Sequence, residues 1–235
     1  MALLEIDRLT KTYEDGTPAL SDLTLRVEAG EVCALLGPNG AGKSTTMNLL
    51  LGFIEPTSGS ARIDGLDVRL HPRESKLHLG YIPEQVALYG DLDAVTNLRY
   101  LAQLSGLSPT RRECEAALAA LRFPPAAFGR RARLLSKGMR QKVALAAVEM
   151  RRARVLIFDE PTSGLDPGAA ADFAELLERS KASGAAVLIA THDLFRMRTL
   201  ADRVVILSAG RTVAQLSRDE LRHQDLEALY LRVAA

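Results

Sequence analysis

Gly37-Pro38-Asn39-Gly40-Ala41-Gly42-Lys43-Ser44 stands between the apolar run Val32–Leu36 and the helix-like stretch Ser44–Leu51, in the order G-x-x-x-x-G-K-S. After a strand and before a helix, that pattern reads as a phosphate-binding loop. Its glycines let backbone N–H groups curl around a triphosphate tail at a helix N-terminus, where the helix dipole favours negative charge. Lys43 supplies a point charge for the β- and γ-phosphates, and the Ser44 hydroxyl is suited to Mg²⁺. The expected nucleotide contacts run from Gly37, Pro38, Asn39, Gly40, Ala41 and Gly42 through Lys43 and Ser44 to Thr45. A glycine-rich turn with a chance Lys-Ser is the plain alternative, and eight ordered positions in this setting weigh against it.

Outward from the loop, Val155-Leu156-Ile157-Phe158 is an apolar strand that ends in Asp159-Glu160. Acids at the carboxyl end of a parallel strand project into the crevice where ligands bind. Asp159 is expected in the Mg²⁺ shell, and Glu160 is expected to polarise an attacking water. His192 follows the run Ala186–Ala190 and Thr191 at another strand end, placed to hydrogen-bond the γ-phosphate or that water. Together with Val204–Leu207, these runs describe buried parallel strands alternating with amphipathic helices, an α/β fold.

Leu3–Leu9 and Leu23–Val27 alternate apolar and polar residues around Glu14-Asp15-Gly16, which predicts a small N-terminal antiparallel β subdomain. Asp91 to Met150 contains no convincing strand and reads as helices punctuated by Gly106, Ser108-Pro109 and Pro124-Pro125. The expected organisation is one ATP-binding-type domain over 1–235. Its α/β core covers about 1–85 and 151–215, an inserted α-helical subdomain about 86–150, and a C-terminal helix about 217–232. Asp166-Pro167 offers a cap and first-turn proline for a helix stopped near Gly184, and Ser217 with Glu220 has capping-box spacing.

The 235 residues are 47% apolar and 25% charged, enough for a sizeable core, and 30 Lys+Arg against 29 Asp+Glu leave a net charge of +1. That balance argues against a basic nucleic-acid binder. Cys33 and Cys114 lie far apart with no Cys/His cluster beside them, which predicts free buried thiols in a reducing, cytoplasmic setting. No apolar run reaches the roughly 18 residues that span a bilayer, so any membrane work is expected to use another chain.

With these motifs assembled, the chain resembles the ATP-binding subunit of an ABC transporter over essentially its whole length. Leu135-Ser136-Lys137-Gly138-Met139 sits where that family has its Leu-Ser-Gly-Gly-Gln signature, Ser163-Gly164-Leu165-Asp166 resembles the D-loop, and Tyr13 lies where an aromatic stacks on adenine. The resemblance implies a P-loop NTPase core with a mainly parallel sheet, ATP and Mg²⁺ as cofactors, and ATP hydrolysis. It implies a head-to-tail dimer with a second copy or a paralogous subunit, in which Ser136 and Gly138 meet the opposite nucleotide and Asp166 belongs to the site. It further implies a separate six-helix permease, an exporter branch, and a peripheral place on the inner face of the membrane.

Two motifs depart from the family pattern. Lys137 replaces the signature's first glycine and Met139 its glutamine, while Gly80-Tyr81-Ile82-Pro83-Glu84-Gln85 resembles the Q-loop with a glutamate directly after the proline. Either Glu84 or Gln85 offers an oxygen to Mg²⁺. A ribosome- or nucleic-acid-directed ATPase is the competing reading. It is disfavoured because only 115 residues lie between Lys43 and Asp159, too few for a long inserted coiled coil, and because one cassette is present rather than two.

Overall fold

The computed structural model describes residues 1–164 and 167–223. In chain order the strands and helices are β1 (Ala2–Thr12), β2 (Pro18–Glu28), β3 (Val32–Leu36), α1 (Lys43–Leu50), β4 (Ser58–Ile63), β5 (Leu66–Asp67), α2 (Pro72–Leu77) and β6 (Leu79–Ile82). They continue with α3 (Ala94–Leu104), α4 (Arg111–Ala120), α5 (Lys137–Arg151), β7 (Val155–Asp159), α6 (Pro167–Ala182) and β8 (Ala186–Thr191). The last are α7 (Leu194–Leu200), β9 (Arg203–Ser208), β10 (Arg211–Ser217) and α8 (Arg218–His223). The chain divides into a first unit of Met1–Leu79, Arg154–Glu160 and the chain from Leu177 on, and a second of Gly80–Ala153 and Pro161–Leu176.

In the first unit, alternation along β1 and β2 puts Leu4, Ile6, Leu25 and Val27 inside. The two strands pair antiparallel through Ile6↔Leu25. The sheet is larger than the alternating runs alone suggested, with order β2-β1-β4-β5. β4, read as Ser-Gly-Ser-Ala-Arg-Ile, has few of the branched and aromatic residues that mark strands. Its partner β1 supplies the order that its own sequence lacks, through Ile6↔Ala61.

The main sheet runs β10-β9-β3-β8-β7-β6, with β3 parallel to both neighbours. Every side chain of Val32–Leu36 is fully buried, as expected of a strand covered on both faces. Val32, Leu35 and Leu36 each contribute about 1.5–3 kcal/mol of transfer free energy. The Val32 N–H donates to Asp202 Oδ2 at 2.9 Å, and the Lys181 ammonium donates to Asp202 Oδ1 at 2.7 Å, so the start of β3 is tied to the turn before β9. Both cysteines are free and buried. Burial pushes the Cys33 thiol up to about 12 and raises that of Cys114.

α8 opens with the expected reciprocal cap. The Ser217 N–H donates to Glu220 Oε2 at 2.8 Å and the Glu220 N–H to Ser217 Oγ at 3.4 Å. The rest of the C-terminal helix expected to reach 232 lies outside the described residues.

The second unit is built on α3, α4 and α5, each with a side-chain cap. Asp93 accepts from the Thr96 N–H at 2.6 Å, Thr110 and Glu113 form a capping box, and Ser136 accepts from the Met139 N–H at 3.2 Å. Pro161–Leu176, grouped with the α/β core on sequence, falls in this unit. Asp172 of α6 binds Lys142 at 2.6 Å and Arg122 at 3.0 Å, and Gln141 of α5 donates to the Pro161 carbonyl at 2.5 Å.

Burial alone would raise the Asp172 carboxyl, but hydrogen bonds and charge from Lys142 and Arg122 outweigh it and hold the group below its ordinary value. A depressed folded-state pKa contributes stability that is present above the unfolded value and lost as pH falls through the folded one. Asp172→Asn therefore lowers the unfolding free energy at pH 7 by about 1–2 kcal/mol. In urea titrations against wild type, the gap narrows as pH falls below the ordinary aspartate range and closes once it has passed the depressed folded-state pKa; a gap that persists in full acid would assign the loss to packing.

Candidate active site

The phosphate loop connects β3 to α1, and two of its glycines are sterically required. A β-carbon on Gly37 would lie 2.5 Å from the Leu207 carbonyl oxygen. One on Gly42, where φ is +106°, would lie 2.8 Å from that of Ala19. The first-turn N–H groups of α1 have no intrahelical acceptors, so they are available to phosphate. Lys43 is buried, and its ammonium donates to the carbonyls of Gly37 at 2.6 Å and Pro38 at 3.2 Å, spanning the loop it serves. Burial lowers the Lys43 pKa, and the charges of Glu160 and Asp159 offset part of that effect. The lysine thus feels both strand-end carboxylates.

Ser44 is exposed at the head of α1, while Thr45 is buried with its hydroxyl 3.3 Å from that of Tyr13. The Tyr13 ring is partly exposed, and the Lys11 ammonium lies 5.5 Å from its centroid. Among the described residues, no three His, Cys, Asp or Glu groups cluster as a metal cage. Ser44 and Asp159 supply hard oxygen donors, a sparse set that fits Mg²⁺, which keeps waters and substrate phosphates in its shell.

Beyond Asp159 the backbone turns sharply. Glu160 adopts φ +46°, a left-handed conformation that a non-glycine residue enters at a cost, and its N–H donates to the Ala190 carbonyl at 2.8 Å. This turn aims the carboxylate at the end of β8. There Oε2 accepts from the Thr191 hydroxyl at 2.7 Å, and Oε1 lies 2.8 Å from His192 Nδ1. A carboxylate can only accept, so Nδ1 carries the hydrogen and Nε2 of this exposed imidazole remains for a water or phosphate. Thr191 holds Glu160 from the buried side, a role the sequence reading did not give it. A threonine closing an apolar strand, directly before the candidate histidine, was the available signal.

The structure brings Tyr13, Gly37–Thr45, Asp159, Glu160 and His192 together in the first unit. Glu84, Gln85, Ser136 and Gly138 belong to the second. Ser136 caps α5 and Gly138 occupies its second position, so the helix's positive end carries both. Asp166 lies outside the described residues.

A protein-family model described as ABC transporter matches residues 20–163. The chain belongs to that family. As an ABC ATP-binding subunit it is an ATPase. It is 33% identical to the ABC transporter ATP-binding protein NatA of Bacillus subtilis (strain 168), over 98% of this chain and 96% of that one. It is 35% identical to the Nod factor export ATP-binding protein I of Cupriavidus pinatubonensis, over 91% of this chain and 66% of that one. A solved ATP binding subunit of an ABC transporter superposes with a TM-score of 0.89 at 34% identity, covering 99% of this chain and 100% of that one. The α/β P-loop fold expected from the sequence is the fold of these cassettes.

Lys43→Ala removes the charge on the β- and γ-phosphates and lowers ATP affinity by roughly tenfold or more. Calorimetric titration reads this directly; unchanged affinity would contradict the role.

Proposed function

We propose that this ABC ATPase is the motor of an exporter, closing head-to-tail with a second copy or a paralogous subunit around two ATP molecules. In this reading it drives a separate six-helix permease and sits peripherally on the inner face of the membrane through that partner. The observation that carries the hydrolytic part is the Glu160 carboxylate fixed between Thr191 and His192 and acting on Lys43. Glu160 orients the attacking water and takes its proton, His192 contacts that water or the γ-phosphate, and Lys43 with the loop N–H groups holds the β- and γ-phosphates. Mg²⁺ held by Ser44 and Asp159 would neutralise charge building on the phosphate oxygens. Tyr13 stacks on the adenine. Ser136 and the Gly138 N–H, at the positive end of α5, complete the partner's site, to which the family's D-loop adds Asp166.

Among the described residues no helix is long and apolar enough to cross a membrane, in keeping with a permease that is a separate chain. The name of the Nod factor relative states export, which supports the direction. The segment from Glu84 to Arg99 is the docking face in this reading. The Tyr89 side chain is 56% exposed and meets Tyr100 edge-on at 4.9 Å. Its backbone is anchored by buried Asn97, which accepts from the Tyr89 N–H at 2.8 Å and donates to its carbonyl at 3.1 Å.

Glu160→Gln keeps ATP binding, lowers turnover by roughly a hundredfold, and makes an ATP-dependent dimer persist in size-exclusion chromatography. Wild-type turnover in this variant would remove Glu160 from the chemistry.

Tyr89→Asp leaves ATP binding and the circular dichroism spectrum unchanged while releasing the chain from its permease, because an unpaired charge is costly only once covered. Undiminished recovery of the permease from detergent-solubilised membranes would place docking elsewhere.

A further inference from the structure

Two of the departures from the family pattern, one in each motif, meet each other. Lys137 Nζ lies 4.0 Å from Glu84 Oε1, with both side chains partly exposed. Lys137 is the first residue of α5, immediately after its Ser136 cap, and Glu84 follows β6. The lysine stem also lies along Gly164, where an added methyl would sit 3.8 Å from Nζ and 3.9 Å from Cδ. One turn further along α5, Gln141 holds the Pro161 carbonyl. The head of α5 therefore holds residue 161 by a hydrogen bond, passes alongside residue 164 and reaches residue 84, all within the second unit.

We propose that Lys137 is a positioning residue: its ammonium holds the Glu84 carboxylate and so ties the segment after β6 to the head of α5. The two unusual charges answer each other, because either one alone would leave an unmatched charge beside the opposite segment. The proposal rests on the reading above for its functional consequence, but its structural core needs no nucleotide. An ion pair this exposed adds little to global stability; its effect is local order.

The test is ¹⁵N relaxation on the full nucleotide-free chain, following the backbone order parameters of residues 84–87, in Lys137→Met, Glu84→Gln, the double variant, and the exchanged pair Glu84→Lys/Lys137→Glu. Each single neutralisation lowers those order parameters, and the double variant lowers them no further than either single one. The exchanged pair restores order, Lys137→Arg retains it, and 1 M salt erases the difference between wild type and the single variants. ATP turnover follows the same pattern, with kcat lowered less than roughly tenfold, KM unchanged, and recovery in the exchanged pair. Circular dichroism verifies folding of each variant. Additive single effects, or an exchanged pair worse than either, overturns the proposal. Since the relaxation measurement uses no ATP, a failed Glu160 mechanism leaves the proposal standing.

Discussion

The register of three parallel strands governs the catalytic half of the molecule. Leu36 pairs with Thr191 and Asp159 with Ala190, so the carboxyl ends of β3, β7 and β8 finish at one edge of the sheet. The residues that follow, Gly37, Glu160 and His192, therefore emerge side by side although they are far apart in sequence. A one-residue slip in any of these strands would turn its side chains to the opposite face and carry its terminal group away from the others. Because β3 is apolar on both faces, what opposes a slip there is position-specific: the Val32 N–H bound to Asp202 at one end and Gly37 fitted against the Leu207 carbonyl at the other.

The same edge shows how strain and hydrogen bonding divide the work. Glu160 needs a left-handed backbone to point across the strand ends, and the Ala190 carbonyl and Thr191 hydroxyl hold it there. Lys43 is held by its own loop, whose shape in turn depends on glycines pressed against Leu207 and Ala19. Charge, loop and carboxylate are thus each held by contacts within the chain itself, which limits the ordering that nucleotide binding must supply.

Strong local patterns were legible in the sequence. β3, β7, β8 and β9 appear within a residue or so of their apolar runs, because strands buried on both faces must be continuously apolar. Ser217-Glu220 and the phosphate loop were legible for a similar reason, since their function lies in a short fixed spacing. What escaped was set by partners distant in the chain. β4 is a strand because β1 lies beside it, β10 because it pairs antiparallel with β9, and Thr191 matters because Glu160 turns toward it. Lys137 and Glu84 were each visible as departures, yet their meeting, across more than fifty residues of chain, was not.

Each unit contains one cysteine, and neither sulfur can be approached without disturbing the packing around it. Cys33 lies inside the central strand of the main sheet, and Cys114 within α4. Thiolate chemistry at either is suppressed twice over, by the raised pKa and by exclusion of reagent. Neither thiol is consequently a target for mild oxidants while the chain is folded. Alkylation at each sulfur becomes a clock for the opening of its own surroundings, so the loosening of the sheet and of the helical unit can be timed separately within one molecule.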